Sequence, residues 1–182
     1  MIILTGPSAS GKTATCLYLE KHYGIKKVVT HTTRAIRVNE IDGVDYHFVS
    51  KEEFEKMVNN NEFIEHVTYN GNYYGTSKAE VKDDKCCTLD FNGALTYYNL
   101  HDPKIVIFYL YCDVDTRSQR MKDRGDSLNK VEERIVGDVK SFKVDEKIEK
   151  IFDYRIDTSK YPLEEVAKII YDKYFEILKK RK

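Results

Sequence analysis

Apolar residues gather in five short runs, at residues 1–5, 27–31, 85–90, 104–112 and 152–157, each of strand length. Longer stretches rich in helix formers lie between and after them, at 13–23, 92–100, 114–123, 129–150 and 163–180. In the last of these, Val166, Ile169, Ile170, Tyr174 and Ile177 recur at helical spacing. Gly24 suits the end of the first helix, and Pro162 suits the first turn of the last. Strands that alternate with helices predict an α/β fold of three layers, a parallel sheet covered on both faces.

One region breaks the alternation. Between His31 and Thr76 the pattern changes to short strands at 45–50, 62–69 and 72–75, with a short helix at 51–58. Asn70-Gly71 separates the last two strands and is a strong signal for a tight hairpin. This segment reads as a small β-rich insertion after the second core strand. The stretch 117–147 is dense in charge and has few apolar anchors at its start, which marks it as the candidate mobile segment.

At 182 residues the chain suits one domain. Its 30 basic and 30 acidic residues cancel, which argues against nucleic-acid binding through bulk charge. The basic run Lys179-Lys180-Arg181-Lys182 fits a helix C-terminus. No apolar run has the length to cross a bilayer, so no membrane partner is expected. The first strand begins at Met1, which predicts no signal peptide and a cytoplasmic protein. Cys16, Cys86, Cys87 and Cys112 lack metal-ligand spacing and read as reduced, mostly buried thiols.

The first strand runs directly into Gly6-Pro7-Ser8-Ala9-Ser10-Gly11-Lys12-Thr13. This is a complete phosphate-binding loop in the strand-then-helix context it requires. Its glycines let the backbone wrap a polyphosphate, so the amides of Ser8, Ala9, Ser10, Gly11, Lys12 and Thr13 are candidate ATP contacts. Lys12 suits the β- and γ-phosphates, Thr13 suits Mg2+, and the helix start adds a positive dipole.

The insertion carries a second constellation. Thr30-His31-Thr32-Thr33-Arg34 leads to Arg37, Glu40 and Gly43-Val44-Asp45-Tyr46. Arginine forks and a tyrosine hydroxyl suit a phosphate monoester, although loop arginines also suit a solvated surface. Glu65 and Tyr73-Tyr74-Gly75-Thr76 follow.

Taken in order and spacing, these segments resemble the guanylate kinase family. The resemblance rests on the phosphate-binding loop, Thr32-Thr33-Arg34 with Arg37 and Glu40, the run from Gly43 to Ser50, Asn61-Glu62-Phe63-Ile64-Glu65, and Gly71-Asn72-Tyr73-Tyr74-Gly75-Thr76. It is dense up to Thr76 and looser afterwards. It implies a P-loop kinase that transfers phosphate from Mg-ATP to GMP and probes no nucleic acid, as a monomer or homodimer. The implied parts are a core (1–30, 77–116 and 148–182), a GMP-binding insertion (31–76) and a helical lid (117–147). By position, Arg34, Arg37, Tyr46 and Tyr74 would hold the GMP phosphate, with Gly75 in the same motif. Glu65 would face guanine, and Thr30 and Thr76 would place hydroxyls near the base. Lys12, Arg34 and the lid arginines Arg120, Arg124 and Arg134 would stabilise the transferring phosphoryl group. Asp90 would approach Mg2+ through water.

Chemistry agrees with the part given to Glu65. Guanine presents two adjacent donors, N1–H and N2–H, and a carboxylate accepts both, whereas adenine presents an acceptor there. The acceptor phosphate is already ionised, so the reaction needs alignment and charge neutralisation and no general base. Two departures stand out. Where the family has Asp-x-Asp-x-Gln-Gly, this chain has Thr88-Leu89-Asp90-Phe91-Asn92-Gly93. Thr88 replaces an aspartate that helps read guanine, which predicts weaker or relaxed base binding. Where the family seats the ATP base with Asn-Asp, the chain has Ile156-Asp157-Thr158, leaving Asp157 as the donor-base candidate. The competing readings are a ribose-1,5-bisphosphate kinase and a non-catalytic phosphopeptide-binding module. The intact phosphate-binding loop weighs against the second.

Overall fold

Ile2, Ile3 and Leu4 are wholly buried because their strand, β1 (Ile2–Thr5), lies at the centre of a five-stranded parallel sheet. The computed structural model describes residues 1–37, 40–69, 71–142 and 144–182. β1 pairs with β7 (Lys85–Leu89) on one side and β8 (Val106–Tyr111) on the other. β2 (Lys26–Lys27) and β9 (Tyr154–Asp157) form the edges. Strand alternation divides the core in two. Ile2 and Leu4 pack with Cys16 and Leu19 of α1 (Lys12–Tyr23) and with Val166, Ile170 and Tyr174 of α7 (Leu163–Lys180). Ile3 packs on the opposite face with Ala94 and Tyr97 of α3 (Phe91–Tyr98). The expected three layers are therefore present. All four cysteines are buried and unpaired. Among the described residues no helix is long and apolar enough to cross a membrane.

The second expected strand, 27–31, is corrected. Only Lys26 and Lys27 join the core sheet, and Val28 makes one last bond to the Cys86 carbonyl. His31–Thr32 forms β3 in a second, four-stranded sheet. Its partners are β4 (His47–Phe48), shorter than the expected 45–50, and β6 (Asn72–Ser77). Wholly buried Thr32 explains the crossing, because its hydroxyl donates to the Tyr73 carbonyl at 3.0 Å and finds that partner only in this sheet.

β5 (Phe63–Tyr69) and β6 form the expected hairpin, with Tyr69 opposite Asn72. Asn70 of the expected Asn70-Gly71 turn lies outside the described residues. A register shift between Phe63 and Glu65 places Glu65 opposite Thr76. Helix α2 (Lys51–Asn59) opens with a reciprocal Ser50–Glu53 capping box and lays Phe54 on Phe63, ring centroids 4.5 Å apart.

The charged segment forms α4 (Val114–Asp123), α5 (Leu128–Ser141) and α6 (Glu146–Glu149). The single helix expected over 129–150 is thus interrupted after Ser141. Phe142 leaves the helix to pack edge-on against Phe91 at 4.7 Å, and Asp145 starts the next turn by accepting from Ile148 N.

Candidate functional site

The phosphate-binding loop sits where β1 ends, between the two halves of the core. Gly6 has φ +142°, and a Cβ there would lie 2.0 Å from the Leu110 carbonyl oxygen, so no side chain fits. Ala9 (φ 59°) and Gly11 (φ 94°) are left-handed, which turns successive amides toward one concavity ahead of α1. Ser10 is wholly buried, and its hydroxyl finds no partner among the described residues. Thr13, in the first turn of α1, is exposed.

Lys12 folds back over the loop and donates to the carbonyls of Gly6 at 2.6 Å and Pro7 at 2.9 Å. Its ammonium also lies 5.9 Å from the Phe142 ring centroid. Burial pushes its pKa down to about 8, Asp138 opposes that shift, and Arg117 and Arg124 reinforce it. The loop lysine therefore stands among charges from both α4 and α5.

Three residues absent from the sequence-based candidates, Asp138, Arg117 and Thr158, close this half of the site. Asp138 of α5 accepts from Ser8 N at 2.9 Å and from the Ser8 hydroxyl at 3.2 Å. Arg117 of α4 donates to the same carboxylate at 2.6 Å, with both side chains nearly excluded from solvent. Thr158, also buried, donates to the Ser10 carbonyl at 3.0 Å. Arg120 binds Thr158 at both its hydroxyl (3.0 Å) and its carbonyl (2.8 Å), and reaches the Ala9 carbonyl at 3.3 Å. In this structure Arg120 ties the loop to the segment after β9.

The other expected lid and donor residues stand farther from the loop or are engaged locally. Arg124 pairs with Asp126 through Nε at 2.8 Å, and Arg134 is exposed on α5. Asp157 accepts from the Ser159 amide and hydroxyl within its own turn.

The insertion gathers the acceptor-side candidates. Arg34 makes a two-pronged pair with Glu40, at 3.0 and 2.7 Å, and the Arg37 amide donates to the same carboxylate at 2.8 Å. The Arg34 hydrogen bond holds the Glu40 carboxyl below its ordinary range. The Arg34 guanidinium lies 5.4 Å from the Tyr46 ring centroid, and Tyr46 meets Tyr74 edge-on at 6.1 Å. Arg34, Tyr46 and Tyr74 are thus brought together, while the Arg37 side chain is exposed.

In the β5–β6 ladder, the Thr76 hydroxyl donates to Glu65 at 2.6 Å. Burial raises the Glu65 pKa, and this hydrogen bond partly offsets the rise. Thr30 is half-buried, and its carbonyl accepts from His47 N. Gly75 is a packing requirement, because a Cβ would come within 2.9 Å of Phe63 and 3.0 Å of Phe54. Thr88 is half-buried and alternates with Cys87, the residue whose thiol feels Glu65 and Thr76, so it shares the Cys86 face of β7.

Asp90 stands between the halves. It caps α3 by accepting from Gly93 N at 2.8 Å, and its charge acts on both Lys12 and Glu65. Among the described residues no cluster of three metal-ligating side chains exists. A hard cation arriving with a polyphosphate needs fewer, and the exposed Thr13 hydroxyl and Asp90 carboxylate are oxygen donors of the right kind.

A parallel sheet, a glycine-kinked loop with its lysine folded over it, and an arginine–tyrosine cluster in the inserted sheet define a P-loop protein. The family model described as guanylate kinase matches residues 1–173, and the chain belongs to that family. A guanylate kinase of Clostridium perfringens is 39% identical over 132 residues, which cover 69% of this chain and 61% of the relative. One from Fusobacterium nucleatum is 28% identical over 158 residues, covering 83% of this chain and 85% of the relative. The crystal structure of guanylate kinase from Anaplasma phagocytophilum superposes with a TM-score of 0.66 at 23% identity, over 94% of this chain and 82% of that one. That likeness supports the fold. The matched part of the chain spans 61% of the length of the Clostridium relatives.

Proposed function

We propose that this chain phosphorylates GMP, and dGMP as well, with ATP as donor, by in-line transfer in the cytoplasm. The observation that carries the reading is that the charge of Asp90 acts on two unlike groups, Lys12 and Glu65. Lys12 belongs to the phosphate-binding loop, and Glu65 is a half-buried carboxylate held by Thr76. A carboxylate with one oxygen held by a hydroxyl keeps acceptor capacity for the adjacent donors of guanine. Arg34, Tyr46 and Tyr74 would take the acceptor phosphate, with Glu40 holding the guanidinium fork in place. Lys12 and the loop amides would hold the donor phosphates in line with it. Thr13 and Asp90 would hold Mg2+, which when bound supplies charge neutralisation across the donor phosphates.

The test is ADP release with Mg-ATP against GMP, dGMP, AMP, CMP, UMP and ribose 1,5-bisphosphate, with Lys12→Ala as control. Turnover confined to GMP and dGMP and lost in the control is expected. Turnover of ribose 1,5-bisphosphate, of another base, or of nothing overturns the reading.

A further inference from the structure

Asp138 does to the phosphate-binding loop what a phosphate would do. Its carboxylate takes the Ser8 amide and the Ser8 hydroxyl at once and draws the Arg117 guanidinium onto the same oxygen that accepts the amide. The Ser8 amide and hydroxyl are anion ligands of the loop, so a terminal phosphate and Asp138 compete for them. Arg117 is 5% exposed and Asp138 8%, yet the Arg117 Nε finds no partner among the described residues. The buried guanidinium therefore retains an unused donor beside the loop. Its charge acts on Lys12, which places it within reach of the same ligand field. Asp138 also lies one turn before Phe142, whose ring approaches the Lys12 ammonium, so this end of α5 closes on the loop at two points.

We propose that Arg117 is a further donor-phosphate-binding residue and that Asp138 is its displaceable counter-ion. The polyphosphate takes the Ser8 amide and hydroxyl and the Arg117 guanidinium, and the Asp138 carboxylate is released from the loop. The exchange breaks no covalent bond and swaps one anion for another. The inference rests on the proposed use of a nucleoside triphosphate at this loop, and it adds a residue and a competition to that reading.

The test is binding of Mg-ATP and Mg-ADP to the full chain by titration calorimetry, for the unaltered protein, Asp138→Asn and Arg117→Gln. Removing the competing charge is expected to tighten Mg-ATP binding about tenfold, the gain when a blocked state holds roughly nine molecules in ten. Arg117→Gln is expected to weaken it by about tenfold or more, through loss of a charge-assisted contact. Unchanged or weaker Mg-ATP binding by a folded Asp138→Asn protein overturns the proposal and makes the pair a structural tie. Because a buried charge left alone can unfold the chain, a second readout uses the unaltered protein. In a crystal structure with a non-hydrolysable ATP analogue, Asp138 away from Ser8 supports the exchange, and Asp138 still bound to Ser8 overturns it. GMP turnover measured on the same proteins separates the two readings. Turnover by the unaltered protein with no gain in Asp138→Asn overturns the competition alone. Tighter Mg-ATP binding in Asp138→Asn without turnover of any monophosphate overturns the proposed reaction and supports the competition.

Discussion

Thr76 faces Glu65 across the β5–β6 ladder and donates its hydroxyl to the carboxylate at 2.6 Å, a pairing made possible by the register shift after Phe63. Bulged strands commonly re-aim a side chain in this way beside a binding site. The consequence is a half-buried acid whose pKa is raised by desolvation and pulled partly back by one hydrogen bond.

The proposed recognition of guanine would require the ionised form of Glu65, since a protonated carboxyl presents a donor where an acceptor is needed. The acid limb of kcat/KM for GMP is therefore expected above the ordinary carboxyl value of 4.5, with activity lost as pH falls. Thr76→Val removes the group that lowers the pKa, so its limb moves to still higher pH. Thr76→Ser restores it. The GMP phosphate titrates in the same region, and comparison of variants on one substrate cancels that contribution. Superimposable profiles for the unaltered protein and Thr76→Val would sink the idea.

Thr158 holds the loop from the opposite side, by donating to the Ser10 carbonyl and accepting from Arg120. Thr158→Val keeps the shape and leaves both partners without that bond in a buried setting. A loss of about 1–3 kcal/mol is expected from the unsatisfied groups, read by urea denaturation. Thr158→Ser keeps the hydroxyl and should recover most of it. An undisturbed midpoint in the valine variant would mean that Arg120 and Ser10 are satisfied elsewhere.

Gly75 tests the insertion by packing alone. A methyl group there enters the space of the Phe54 and Phe63 rings. Gly75→Ala should destabilise by about 1–3 kcal/mol, the usual cost of overfilling a packed contact, measured as a lowered thermal midpoint. An unchanged midpoint would show that the rings can withdraw freely.

Much of this was legible in the residues. The three layers followed from alternation of apolar runs with helix formers, and the loop followed from Gly6, Gly11, Lys12 and Thr13. The apolar run 27–31 does not say which sheet it joins, and a buried Thr32 with a partner in β6 decides that. The pattern over 129–150 does not show the helix end, because Phe142 is apolar at helical spacing, yet its ring is claimed by Phe91. Asp138 is hidden in the sequence by its surroundings. It lies in the stripe Val131, Ile135, Asp138 and Phe142, an acid among apolar positions at helical spacing. Arg117 likewise shares a buried face of α4 with Met121. A charged residue inside each of two adjoining apolar stripes is the pattern that could have revealed the pair. Strand alternation sets the face of β7 on which Thr88 stands, which its place in a motif does not reveal.

Lys12 gives activity and stability opposite responses to alkali. Burial lowers its pKa from the ordinary 10.5 to about 8. Below that value it is charged, and above it the loop loses its cation, so kcat/KM for ATP should fall as pH rises through about 8. Stability runs the other way. Between about 8 and 10.5 the unfolded chain carries the lysine proton and the folded chain does not. Unfolding then takes up a proton, and this group's contribution makes the fold more stable with rising pH. A bound polyphosphate favours the ammonium form, so the limb in kcat should lie at higher pH than the limb in kcat/KM. Lys12→Arg, which keeps its charge throughout, should abolish the limb in whatever activity it retains, and Lys12→Met should flatten the stability slope. An alkaline limb unmoved in Lys12→Arg would assign the titration to another group and remove Lys12 as the cation that the donor requires.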